Sequence, residues 1–175
     1  MAHLSLSFLG RFSVTLEAEP VTAFGSEKVR ALLAFLAIES AHAHRRTALT
    51  AMFWPDSTEK KAAHSLSQTL LRLRQALREK DYPETASFLL VTSQEVQFKY
   101  WGDCQLDVAR FRELLDLANQ HVHAAGTPCE TCFQWLSQAA ELYQGDLLAG
   151  LFVADSVAFE EWRVFLQEKL HGQAL

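Results

Sequence analysis

Between Thr58 and Lys80 the chain reads TEKKAAHSLSQTLLRLRQALREK. Leu66, Leu70, Leu73 and Leu77 recur three and four residues apart, the repeat that lines side chains up on one stripe of an α-helix. Asp56, Ser57 or Thr58 can cap its start, so the pattern predicts a long amphipathic helix over 58–80. The opposite side carries Lys61, His64, Ser65, Gln68, Arg72 and Gln75, and no carboxylate falls between Glu59 and Glu79. A face without acids either is simply solvated or meets something negative.

Charge along the chain bears on that choice. The formal net charge is −5. Through Tyr100 there are 12 Lys+Arg against 10 Asp+Glu, a balance of +2, and from Trp101 onward 4 against 11, a balance of −7. Between Arg45 and Lys80 the count is 8 against 3, or +5. A basic segment inside an acidic chain points to one restricted anionic contact rather than general stickiness.

The flanking sequence gives that helix a setting. HLSLSFLG and RFSVTLEA alternate on either side of Gly10, and PVTAF can add a third strand. Ser26 caps a helix over EKVRALLAFLAIESA, with Val29, Leu32, Leu33, Leu36 and Ala37 inward. HAHRR reads as a polar connector, and Thr47 as the cap of a short helix, ALTAMFW, that Pro55 ends. FLLVTS and EVQFKYW read as a hairpin turning at Ser93-Gln94.

Residues 1–101 therefore read as an α+β winged helix-turn-helix, in which the second helix enters the DNA major groove. Ser65, Gln68 and Arg72 are donors suited to base edges, and His64 and Thr69 belong to the same candidate interface. Arg45, Arg46, Lys60 and Lys61 are candidates to neutralise phosphates, where carboxylates would be repelled. The hairpin contributes one cation, Lys99, and its turn TSQE contributes none.

Residues 102–175 read as all-α. DVARFRELLDLANQHVH, CETCFQWLSQAAELYQ and VAFEEWRVFLQEKLHG are helical, with GDLLAGLFVADS a loop before the last. Trp54, Trp135 and Trp162 sit on apolar faces as core residues, and Trp101 is placed to pack between the two domains. FEEW is either a solvated helix turn or a polymerase contact.

The N-terminal half resembles the winged-helix effector domains of OmpR/PhoB type, and within them the antibiotic-regulatory-protein (SARP/AfsR-like) branch of bacterial transcription factors. The words that carry the resemblance are LSFLGRFSVTL, SEKVRALLAFLAIES, LTAMFWPD and AAHSLSQTLLRLRQAL. LDVARFRELL, AAELYQGDLLAGL and FEEW in the second half resemble the bacterial transcriptional activator domain. The resemblance implies sequence-specific binding of double-stranded DNA at promoters, self-association on direct repeats, activation, and contact with RNA polymerase. It further implies a tetratricopeptide-like helical domain that continues past LHGQAL, so that the second domain is cut short at its C-terminus.

Other chemistries leave weaker marks. His121, His123, Cys129 and Cys132 form H-x-H-x5-C-x2-C, two imidazoles and two thiols that can hold zinc, although the spacing is unusual for a zinc finger. A reversible disulfide, or cysteines that are merely local or buried, are the other readings. Cys104 reads as a lone thiol, and three cysteines fit a reducing cytoplasm better than a disulfide scaffold. His64-Ser65 is a poor catalytic pair, because neighbouring helical side chains diverge by about 100°. There is no G-x-S-x-G elbow, P-loop or HExxH, so an enzyme is not expected. No run approaches the length of a membrane span. The competing function class is a protein-interaction module, with a degenerate winged helix and an acidic helical half that binds a partner.

Overall fold

The computed structural model describes residues 3–82, 87–100, 103–123, 126–127 and 129–175. β1 (His3–Ser7) and β2 (Ser13–Leu16) pair antiparallel, with Leu4 opposite Leu16 and Leu6 opposite Val14. All four side chains are buried, as one-sided alternation requires. Glu17 and Ala18, at φ 51° and 64°, turn the chain into β3 (Glu19–Pro20). The third strand is therefore two residues long and ends where the expected PVTAF strand begins. Phe24 goes to the core instead.

α1 (Glu27–Ile38) starts at Ser26, whose Oγ accepts the Val29 N–H at 3.4 Å. Nine of its twelve residues are buried, which makes it the central helix of the first half. The HAHRR connector holds a strand that the sequence reading missed, β4 (His44–Arg45). α2 (Arg46–Phe53) begins directly after it, so the N-cap is Arg45 rather than Thr47, without a side-chain cap. α3 (Glu59–Ala76) is capped by Thr58, whose Oγ1 accepts the Lys61 N–H at 3.4 Å. It ends earlier than the expected Lys80. Arg78 adopts the left-handed region (φ 51°), and Glu79–Asp81 form a 3-10 turn.

β5 (Leu89–Val91) and β6 (Glu95–Phe98) make the expected hairpin. β6 also pairs with β4, giving a three-stranded sheet in the order β4-β6-β5. The region beyond residue 101 is not purely helical. β7 (Asp103–Leu106) runs parallel to β1, with Leu4 beside Cys104 and Leu6 beside Leu106, and completes a four-stranded sheet in the order β3-β2-β1-β7. The boundary expected at 101/102 and the packing expected of Trp101 lie outside the described residues.

α4 (Asp107–Gln120), α5 (Glu130–Leu142) and α6 (Val157–Ala174) follow, with α4 and α5 packed on each other. The two halves share one core, which runs from Leu4 to Leu170 and takes in Trp54, Trp135 and Trp162 at its edge. α6 docks on the first half. Its Phe159 ring lies 5.4 Å from Phe53, and its Trp162 ring 5.0 Å from Phe35. Trp162 Nε1 donates to Glu39 Oε1 at 2.9 Å, and the buried Ser156 Oγ donates to the Met52 carbonyl at 2.6 Å. Asp107 Oδ2 accepts the Phe8 and Leu9 N–H groups at 2.8 and 2.7 Å, which ties α4 to the end of β1. Gly10, at φ 123°, lets the β1–β2 turn lie against the loop after α5, where its N–H donates to the Asp146 carbonyl.

Candidate nucleic-acid interface

α3 packs its inner stripe of Ala62, Leu66, Leu70 and Leu73 toward α1 and α2. Each buried leucine is worth about 1.5–3 kcal/mol, so the helix cannot roll to present another side. That choice leaves Lys60, Lys61, His64, Gln68, Arg72 and Gln75 exposed, with Ser65 half-buried. His64, Gln68 and Arg72 stand four residues apart on one line. At 1.5 Å per residue they span about 12 Å of helix, the axial length of three to four base pairs.

Thr69 does not belong to this face. It is 7% exposed, and its hydroxyl donates to the Ser65 carbonyl at 2.8 Å inside the helix. Its position, three residues after Leu66 and four before Leu73, puts it on the buried stripe.

Arg45 is exposed on β4, while Arg46 at the start of α2 is half-buried. Arg46 Nη2 donates to Ser67 Oγ at 2.8 Å, and Ser67 donates in turn to the Ala63 carbonyl at 3.1 Å. This contact aims the Arg46 guanidinium along α3. Ser67 carried no sign of it in sequence, because the link depends on how α2 crosses α3. The Arg46 N–H also donates to the Gln94 carbonyl at 2.9 Å, which fixes the hairpin turn beside α2. Thr92 Oγ1 accepts the Gln94 and Glu95 N–H groups at 3.2 and 2.9 Å and holds the turn tight. Lys99 is exposed but lies beyond the far end of β6, about 13 Å of strand from that turn. It does not join Arg45 and Arg46.

Among the described residues, Arg45, Lys60, Lys61 and Arg72 make no ion pair, whereas Arg74 pairs with Glu79 at 3.2 Å. The positive charge of the exposed face is thus uncompensated. No hydrogen bond joins His64 to Ser65 among the described contacts.

The second predicted set does come together. The ligand atoms of His121, His123, Cys129 and Cys132 lie within 4.8 Å of one another between α4 and α5. His121 Nδ1 is 3.3 Å from both sulfurs. Cys129 is the N-cap of α5, and the Cys132 N–H donated to its Sγ draws its thiol below the ordinary range. Burial pushes the Cys132 thiol up, as it does Cys104 in β7, which reaches about 12.

No protein-family model matches the sequence, and no curated protein matches it. Among solved structures, Mycobacterium tuberculosis EmbR in complex with a low-affinity phosphopeptide superposes with a TM-score of 0.75 at 22% identity. The match covers 99% of this chain and 44% of that one, so the chain spans less than half the length of EmbR. The likeness shows that the chain shares the fold of that part of EmbR, with a sheet-bearing N-terminal region and a largely helical C-terminal part.

Proposed function

We propose that this chain is a sequence-specific, DNA-binding transcriptional regulator, in which α2, the turn at 54–58 and α3 act as a helix-turn-helix and the β5–β6 hairpin as its wing. The observation that carries the proposal is the exposed face of α3, rich in donors, free of carboxylates and without ion-pair partners, in an acidic chain. Gln68 and Arg72 read base edges, with His64 and Ser65 beside them. Lys60, Lys61, Arg45 and the Ser67-aimed Arg46 hold phosphates. The wing positions without much charge, since Lys99 stands away from its turn.

The second half serves protein contact, with RNA polymerase as the partner and activation as the outcome, and two copies sit on tandem sites in the cytoplasm. Phe152 and Phe165, 63% and 72% exposed, are apolar surface on that half. The same surface supports the alternative of an interaction module without DNA. Among the described residues no helix is long and apolar enough to cross a membrane.

Selection of bound duplexes from a random pool, followed by titration at two salt concentrations, separates the readings. Four free or loosely held cations predict a log–log salt slope near −3.6, at about 0.9 per phosphate. Arg72→Ala is expected to weaken binding by about 1–3 kcal/mol and to relax one position of the motif. A flat salt response with no selected motif would leave the interaction module.

A further inference from the structure

We propose that His121, His123, Cys129 and Cys132 form a tetrahedral zinc site that clamps the α4–α5 hairpin. This goes beyond the DNA-binding proposal and rests on none of its residues.

The geometry is close to what the metal requires. Zinc–sulfur bonds of about 2.3 Å and zinc–nitrogen bonds of about 2.0–2.1 Å place tetrahedral ligand atoms roughly 3.4–3.8 Å apart. His121 Nδ1 lies 3.3 Å from Cys129 Sγ and 3.3 Å from Cys132 Sγ, and all four ligand atoms fall within 4.8 Å. An imidazole nitrogen equidistant from two sulfurs is not needed for a disulfide, and both cysteines are free thiols.

The surroundings already orient the ligands. His123 Nδ1 bonds to the His121 carbonyl at 3.0 Å, and donation there leaves Nε2 as its lone-pair nitrogen. The Cys132 N–H faces Cys129 Sγ at 3.5 Å, a donor suited to a metal-bound thiolate. The Trp135 ring stands perpendicular to His121 at 5.4 Å and holds the imidazole plane. Two nitrogens and two sulfurs in this arrangement suit zinc better than hard cations, which take oxygen ligands.

Charge also balances. On binding, both thiols give their protons to solvent, two zinc–sulfur and two zinc–nitrogen bonds form, and the dication with two thiolates is neutral. Neutrality suits a site whose Cys132 is buried and whose His121 and Cys129 are half-buried. The site spans the end of α4 and the first turn of α5, so the metal would fasten the two helices at the end where a nine-residue connector joins them.

The test uses the full chain, purified under reducing conditions without chelator. About one zinc per chain is expected by elemental analysis. Cobalt titration of the stripped chain is expected to give thiolate charge-transfer bands and the visible bands of tetrahedral cobalt. Metal is expected to shield two of the three cysteines from alkylation while Cys104 reacts as before. Cys129→Ser should lose stoichiometric zinc, and His123→Ala should weaken binding by more than about tenfold. Cys104→Ser should retain it. The parent titration needs no variant to fold. No stoichiometric zinc and no tetrahedral cobalt spectrum in the reduced parent would overturn the proposal, as would undiminished zinc in a folded Cys129→Ser.

Discussion

Replacing Asp107 with alanine tests how the helical half is fastened to the sheet. Its Oδ2 accepts two backbone donors, Phe8 N–H at 2.8 Å and Leu9 N–H at 2.7 Å, and its Oδ1 accepts Val108 N–H at 2.7 Å. Phe8 and Leu9 are buried, so truncation leaves both donors without an acceptor. An orphaned buried donor costs about 1–3 kcal/mol. Losing the acid in the first turn of α4 adds about 0.3–1 kcal/mol. Asp107 is half-buried, so water can reach part of the gap, and a total near 2–4 kcal/mol is expected. Asp107→Asn keeps one carbonyl oxygen but turns an amide donor toward another donor, so it should fall between the parent and alanine.

Urea unfolding, followed by tryptophan fluorescence and far-UV circular dichroism, measures the loss as a shift in midpoint at constant slope. A change below about 0.5 kcal/mol for alanine, or an asparagine variant less stable than alanine, would refute the account. The pH dependence has a definite sign. Desolvation pushes the Asp107 carboxyl above its usual value, against the pull of the backbone N–H groups around it. Between the two values the folded state holds more proton than the unfolded, so this group's contribution to stability falls as pH rises through that window. The fall should be missing in Asp107→Ala.

Three further outcomes follow from the contacts described. Trp162→Phe removes the 2.9 Å donation to Glu39 together with the nitrogen-bearing ring of the indole, and thermal unfolding should report a loss of at least about 1.5–3 kcal/mol. Thr69→Ala should change DNA affinity less than about twofold, in contrast to Gln68→Ala, because its hydroxyl is spent on Ser65; equal losses in an anisotropy titration would return Thr69 to the interface. Lys28 holds Asp155 below the usual carboxylate value through a 2.8 Å hydrogen bond. That stabilisation is present above the ordinary carboxylate range and is lost as pH falls through the lowered value. Lys28→Met should flatten this acid-side loss in a pH series of unfolding curves, by a small amount since Asp155 is largely exposed.

What could be read from the sequence was what short-range periodicity and capping determine. α1 and α3 start where Ser26 and Thr58 place them, because an N-cap is a local hydrogen bond. β7 was illegible for the opposite reason. It is four residues, DCQL, and its partner β1 lies about a hundred residues away in sequence. β4 is two residues and is defined by pairing with Glu95 and Val96, not by its own composition. Within the candidate interface, the row of His64, Gln68 and Arg72 follows from helical spacing, and so does the burial of Thr69, which stands on the leucine stripe. The Arg46–Ser67 contact needed the crossing of two helices. The His/Cys set was visible as spacing, but its closeness depends on α5 packing back against α4.

The fourth strand of the N-terminal sheet is donated by chain that follows the β5–β6 hairpin. Without residues 103–106, β1 becomes a naked border, with open peptide groups flanking Leu4 and Leu6. A fragment cut after residue 101 should therefore clump or borrow a border from a second copy. By the same geometry β7 leads without a break into α4, so the helical half begins as the continuation of the strand that closes the sheet.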